Sequence, residues 1–100
     1  MLLAFSVAPT TGDDSGGVAE AVAAAIKVVR ASGLPHETTS MFTTIEGEWD
    51  ECFAVVKRAT DAVVAVAPRV SLVIKADIRP GFEGQLRAKV ERVEEILRGQ

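Results

Sequence analysis

Apolar side chains recur along this chain in two rhythms, every second residue in some stretches and every third or fourth in others. From Leu2 to Ala8 the period is two, with Leu3, Phe5 and Val7 pointing one way and Leu2, Ala4 and Ser6 the other, which predicts a strand. Pro9 to Gly17 is a loop of turn formers, and Ser15 or Asp14 can cap a helix running from about Val18 to Ala31. Val18, Val22, Ala25 and Val29 mark its apolar stripe, and Ser32-Gly33-Leu34-Pro35 stops it, glycine suiting the left-handed position after a helix end. His36 to Thr39 and Phe42 to Glu46 read as two strand pieces joined near Ser40, as a bent strand or a short hairpin. The helical period returns from about Trp49 to Val66, with Phe53, Val56, Thr60 and Val63 inward. Arg69 to Arg79 is a last strand ended by Pro80-Gly81, followed by an amphipathic helix striped by Leu86, Val90, Val93 and Leu97.

With two strands in the middle, the order is β-α-β-β-α-β-α. Its first six elements are those of the ferredoxin-like sandwich, so the expected class is α+β: one domain over residues 1–100, with an additional C-terminal helix. Two helices cover one face of the sheet in that topology. The uniformly apolar sets, Leu3, Phe5 and Val7 with Leu72, Ile74, Ala76 and Ile78, belong under them. The other face collects Ser6, Phe42, Thr44, Glu46, Lys75 and Asp77 beside Leu2, Ala4 and Val73. A face that mixes an aromatic, hydroxyls and carboxylates with aliphatic residues suits a subunit interface, or a small-molecule site at such an interface.

Composition narrows the partners. The chain is 48% hydrophobic and 25% charged, which places it among globular domains. Net charge is −3, and the 11 lysines and arginines form no clustered run, which argues against a nucleic-acid partner. The apolar stretch Met1 to Ala8 lacks a basic leader and stops at Pro9, so it reads as a strand and not a signal sequence. No stretch approaches the ~20 apolar residues of a membrane span. Cys52 is the one cysteine, which leaves no internal disulfide and no thiolate metal cluster; the expected compartment is the cytoplasm.

Catalytic patterns are scarce. Ser6 has no evident base beside it, and neither a glycine-rich phosphate fingerprint nor a metal-spaced His/Cys set is present. An acylphosphatase-like reading would need an arginine in the first loop and an asparagine nearby, and the chain contains no asparagine. RNA recognition on such a sheet needs several exposed aromatics, and Phe42 is alone. Glu46 is the carboxylate of most interest, as a ligand acceptor or as a strand-end residue facing water or the N-terminus of the helix that begins at Trp49. Lys75 and Asp77 suit an ion pair, His36 an exposed edge, Cys52 a small buried apolar role, and Trp49 an anchor for its helix.

Four stretches together resemble the thiamine-binding protein family: Phe5-Ser-Val-Ala-Pro9, Ala24 to Leu34, Met41-Phe-Thr-Thr-Ile-Glu-Gly-Glu-Trp-Asp-Glu51, and Val70 to Arg79. The resemblance spans nearly the whole chain, and the Thr-Ile-Glu-Gly run after a methionine is its most specific part. It implies a ferredoxin-like fold with a C-terminal helix and a homotetramer built as a dimer of dimers. It also implies non-enzymatic binding of thiamine or its hydroxymethylpyrimidine half, with no cofactor. Ser6 and Glu46 match the family's ligand pocket, and Met41 and Thr44 match its surroundings. Many relatives carry glycine after the methionine; Phe42 departs from this, to stack on a pyrimidine or to narrow the pocket. An aminopyrimidine would donate its exocyclic amine to Glu46, and the thiazolium cation of whole thiamine would favour Asp77 or an aromatic face.

Overall fold

Alternation along the first strand decides how the chain packs. In the computed structural model, which describes residues 1–10 and 17–99, β1 (Leu2–Pro9) buries Leu3, Phe5 and Val7 and leaves Leu2, Ala4 and Ser6 half-buried on its other side. Strands β2 (His36–Thr38), β3 (Thr43–Glu46) and β4 (Val70–Asp77) join it in one antiparallel sheet of order β2-β3-β1-β4. Helices α1 (Gly17–Ala31) and α2 (Trp49–Val64) cover one face, and α3 (Gln85–Arg98) closes the sequence of elements. This is the α+β, ferredoxin-like arrangement with an added C-terminal helix. The middle pieces form a hairpin and not a bent strand: Thr39 N–H donates to Phe42 O at 2.9 Å across the turn Ser40–Met41.

The core is a layer of Leu3, Phe5, Val7 and Ile45 under Ala21, Ala25 and Val29 of α1 and Cys52, Val55, Val56, Ala59 and Val63 of α2. Each fully buried valine, leucine or isoleucine among them contributes about 1.5–3 kcal/mol. The helix stripes differ from the sequence expectation. On α1, Ala21 is buried while Val22 is 37% exposed; the side chain of Val18 and the capping residues Asp14 and Ser15 lie outside the described residues. Small alanines at the contact let α1 and α2 approach closely, which sends the larger valine outward. On α2, Val56 and Val63 are buried as expected and Cys52, Val55 and Ala59 join them, whereas Phe53 and Thr60 are only partly covered. Phe53 instead stacks on Trp49 at a centroid distance of 5.3 Å, outside the core. Cys52 is buried as expected, and burial pushes its thiol pKa up. Gly33 after α1 takes φ 77°, the left-handed turn expected of it.

Strand β4 also departs from expectation. By register Ile74 lies opposite Phe5 and Leu72 opposite Val7, so both are on the helix side. They nevertheless stay 38% and 40% exposed, because β4 is the outer strand and α2 barely overhangs it. The most open element is α3. None of its residues is buried, and Val90, Val93, Ile96 and Leu97 are all more than half exposed. The radius of gyration, 15.3 Å against about 13 Å for an ordinary 100-residue domain, reflects this helix standing off the body. No helix among the described residues is long and apolar enough to cross a membrane.

Candidate functional site

The second face of the sheet carries the polar groups in register. Leu2 sits between Glu46 and Asp77 on one rung, and Ala4 between Thr44 and Lys75 on the next. Ser6 lies opposite Val73, with Phe42 just beyond the start of β3. Four residues along β1 separate Ser6 from Leu2, so the Ser6 end and the Glu46–Asp77 end are roughly 13 Å apart. The expected site residues therefore fall into two groups, with Thr44 between them.

The Ser6 group surrounds a cavity of about 170 Å³. It opens where β1 outruns its neighbour, since β3 pairs only with Leu2 to Phe5 while β4 pairs with all eight residues of β1. Ser6, Val7 and Ala8 form one wall, the hairpin turn from Thr39 to Phe42 the opposite one, and Val22, Ala25, Ile26 and Val29 of α1 the floor. The turn is held by Thr39, whose Oγ1 accepts from Phe42 N–H at 3.3 Å and donates to Phe42 O at 3.2 Å. Beneath it, the buried Thr43 hydroxyl meets that of Thr38 at 3.3 Å. No ionisable side chain is among the described lining residues. Such a space favours a neutral ring, because an unpaired charge there would lose its hydration without replacement. An apolar cavity of about 150 Å³ accepts one benzene ring, so this one suits a single six-membered ring.

Val22, Ala25 and Val29 of the floor are legible in the sequence only as an apolar stripe, which leaves Ile26 out. The signal that locates the gap is the mismatch between an eight-residue first strand and a four-residue third.

The Glu46 group is arranged differently. Both carboxylate oxygens of Glu46 accept backbone hydrogen bonds from the start of α3, Oε2 from Gln85 N–H at 2.9 Å and Oε1 from Leu86 N–H at 3.2 Å. The residue before the helix, Gly84, has φ 69° and no side chain to cap with, so Glu46 supplies the cap from across the sheet. A helix N-terminus is indeed its partner, but that of α3 and not of the helix at Trp49. Asp77 accepts from Lys89 Nζ at 2.6 Å, and this hydrogen bond is the main cause of its lowered pKa. Lys75, the partner expected for Asp77, is a lesser contributor to that shift. Arg79 stacks on Phe82 with its guanidinium carbon 3.6 Å from the ring centroid, beside a cleft of about 210 Å³ that Asp77 and Lys89 also line. Among the described residues no group of three or more His, Cys, Asp or Glu side chains could hold a metal ion.

The cap yields a direct test. Glu46→Ala is expected to lower hydrogen-exchange protection of the first α3 amides by roughly 2- to 30-fold, the equivalent of about 0.5–2 kcal/mol for a lost N-cap. Glu46→Gln, which keeps one acceptor oxygen, should lose less. The α1 and α2 amides should be unaffected, and an unchanged α3 would mean that the cap does not hold it.

A family model described as thiamine-binding protein matches residues 3–94. A UPF0045 protein of Mycobacterium bovis is 54% identical over 98 residues, covering 97% of this chain and 94% of its own. Among solved structures, a DUF77 domain of Bacillus cereus is 37% identical with a TM-score of 0.80, covering 91% of this chain and 86% of its own. A candidate thiamine biosynthesis or salvage protein of Thermotoga maritima is 25% identical with a TM-score of 0.79, covering 92% and 96%.

Proposed function

The chain belongs to the thiamine-binding protein family, and on that premise we propose that it binds thiamine, or its hydroxymethylpyrimidine half, as a cytoplasmic carrier or sensor and not as an enzyme. The observation that carries this reading is the ring-sized, uncharged cavity between β1, α1 and the hairpin turn. On this reading the pyrimidine enters the cavity, Met41 and Phe42 supply its platform, and the Ser6 hydroxyl meets a ring nitrogen or the hydroxymethyl group. The rest of thiamine runs along the second face past Thr44, toward the carboxylates of Glu46 and Asp77, which draw the thiazolium cation. No cofactor is needed for such binding.

Assembly forms part of the proposal. The half-apolar second face and the exposed stripe of α3 support a homotetramer arranged as a dimer of dimers, in which these surfaces are covered by other copies. The same exposure also favours a second reading, an oligomeric interaction module with no small-molecule ligand. Calorimetry separates the two. Titration with thiamine and with hydroxymethylpyrimidine should each give one site per chain. Absence of binding tighter than about 1 mM for both would leave the assembly role alone.

A further inference from the structure

The direction in which each β1 peptide points follows from hydrogen bonds at the two ends of the strand. Met1 N donates to Gly47 O at 2.9 Å, and Gly47 N–H donates to Met1 O at 3.1 Å. That reciprocal exchange marks a hydrogen-bonded antiparallel pair, so the polar groups of Met1 face the β3 side. At the far end Thr10 N–H donates to Arg69 O at 2.9 Å, so those of Thr10 face the β4 side. Peptide direction alternates along a strand. Both ends therefore give the same parity, with Leu3, Phe5 and Val7 turning their N–H and C=O toward β3. For Leu3 and Phe5 the partners are Ile45 and Thr43.

For Val7 the next partner in register would be Met41, but the chain has already turned there. Met41 N–H is directed to Thr39 Oγ1 at 3.4 Å, and Thr39 pairs with Phe42. Val7 thus presents an N–H and a C=O, side by side, to the cavity, with no partner among the described residues. Peptide groups removed from water are paired in nearly all proteins, so a ring that seals this cavity has to offer partners to the donor and acceptor facing it.

We propose that the Val7 peptide edge is the recognition element of the cavity and takes the amidine edge of an aminopyrimidine. Val7 N–H donates to the ring nitrogen, and Val7 C=O accepts from the exocyclic amine beside it. The ring completes the rung that β3 leaves empty. This rests on the binding reading above and assigns the amine to Val7 in place of Glu46, whose oxygens cap α3. An anion is disfavoured because the carbonyl faces it, and a plain hydrocarbon leaves both peptide groups unpaired.

The test uses 4-amino-2-methylpyrimidine and its near-isostere 2,4-dimethylpyrimidine, with amide exchange resolved residue by residue in the full chain. The aminopyrimidine should slow Val7 exchange at least about tenfold while Leu3 and Phe5, already paired, stay as they were. The dimethyl compound should bind at least about tenfold more weakly, having lost the donor. Uracil presents a donor and an acceptor through a lactam edge, and binding as tight as the aminopyrimidine's would overturn the choice of an amidine. Thiamine or aminopyrimidine binding with the Val7 amide unchanged would overturn the pairing and leave the binding function standing. Failure of every ring to bind would overturn both.

Discussion

Val22→Phe is expected to weaken pyrimidine binding at least about 100-fold, close to 3 kcal/mol, while leaving the chain folded. Val22 lines the cavity from α1 yet is 37% exposed, so a larger side chain can enter the empty space from the rim without displacing Leu3, Phe5 or Val29. Core positions such as Ala25, 3% exposed, would not serve, since enlarging them overpacks the α1–α2 contact. The phenyl ring would occupy the volume that the ligand ring needs, and the two cannot share a 170 Å³ cavity. Filling it also buries apolar surface at about 25 cal/mol per Å², which offsets the slightly poorer helix propensity of phenylalanine. The melting temperature should therefore move by only a few degrees. Val22→Ala is the control; it widens the rim and should retain binding within about tenfold. Calorimetry and thermal unfolding on both variants decide the matter. Undiminished binding by folded Val22→Phe would move the ligand out of this cavity.

How much of this is legible in the sequence depends on the range of the interaction. Alternation in β1, β3 and β4 is local, and it sets the two faces of the sheet correctly, down to Thr44 and Lys75 flanking Ala4. Helix stripes are less legible where apolar residues are crowded. In Cys52-Phe-Ala-Val-Val56 several phases are possible, and size points to Phe53, whereas close packing against α1 selects Val55 beside the expected Cys52 and Val56. Val22 reads as core for the same reason.

The site shows the same division. That Ser6, Phe42, Thr44, Glu46 and Asp77 share a face followed from period two, but which of them meet did not. The partners of Glu46 lie 39 and 40 residues away in the chain, at the start of a helix whose own cap position is glycine. No local pattern carries that pairing. The cavity arises from strands of unequal length, and boundaries are the least legible part of any element.

Charging the stripe of α3 should have the largest effect on the molecule as a whole. In the proposed tetramer, light scattering at micromolar concentration gives about four times 10.6 kDa, and Val93→Glu combined with Leu97→Glu should reduce that mass to a dimer or monomer. These side chains are 54% and 58% exposed in the single chain, on a 14-residue helix tied down at its first turns by Glu46 and by Lys89 with Asp77. A helix of that length is marginal alone in water, so its stripe needs a cover. An unpartnered charge forced into an apolar interface costs about 3–5 kcal/mol, and two per chain should raise the dissociation constant well beyond about 1,000-fold. The core, which includes no residue of α3, should be untouched, so thermal unfolding of the dissociated variant should still be cooperative. Because the cavity is built within one chain, pyrimidine binding should survive dissociation within about tenfold. Any extra affinity of whole thiamine that comes from Glu46 and Asp77 is supplied by the same chain and should survive as well. A tetramer unchanged by both glutamates would place α3 outside the contact and leave the sheet face or the β4 edge to make it. A wild-type chain that runs as a monomer would remove the assembly itself while leaving the Val7 cavity as the binding site.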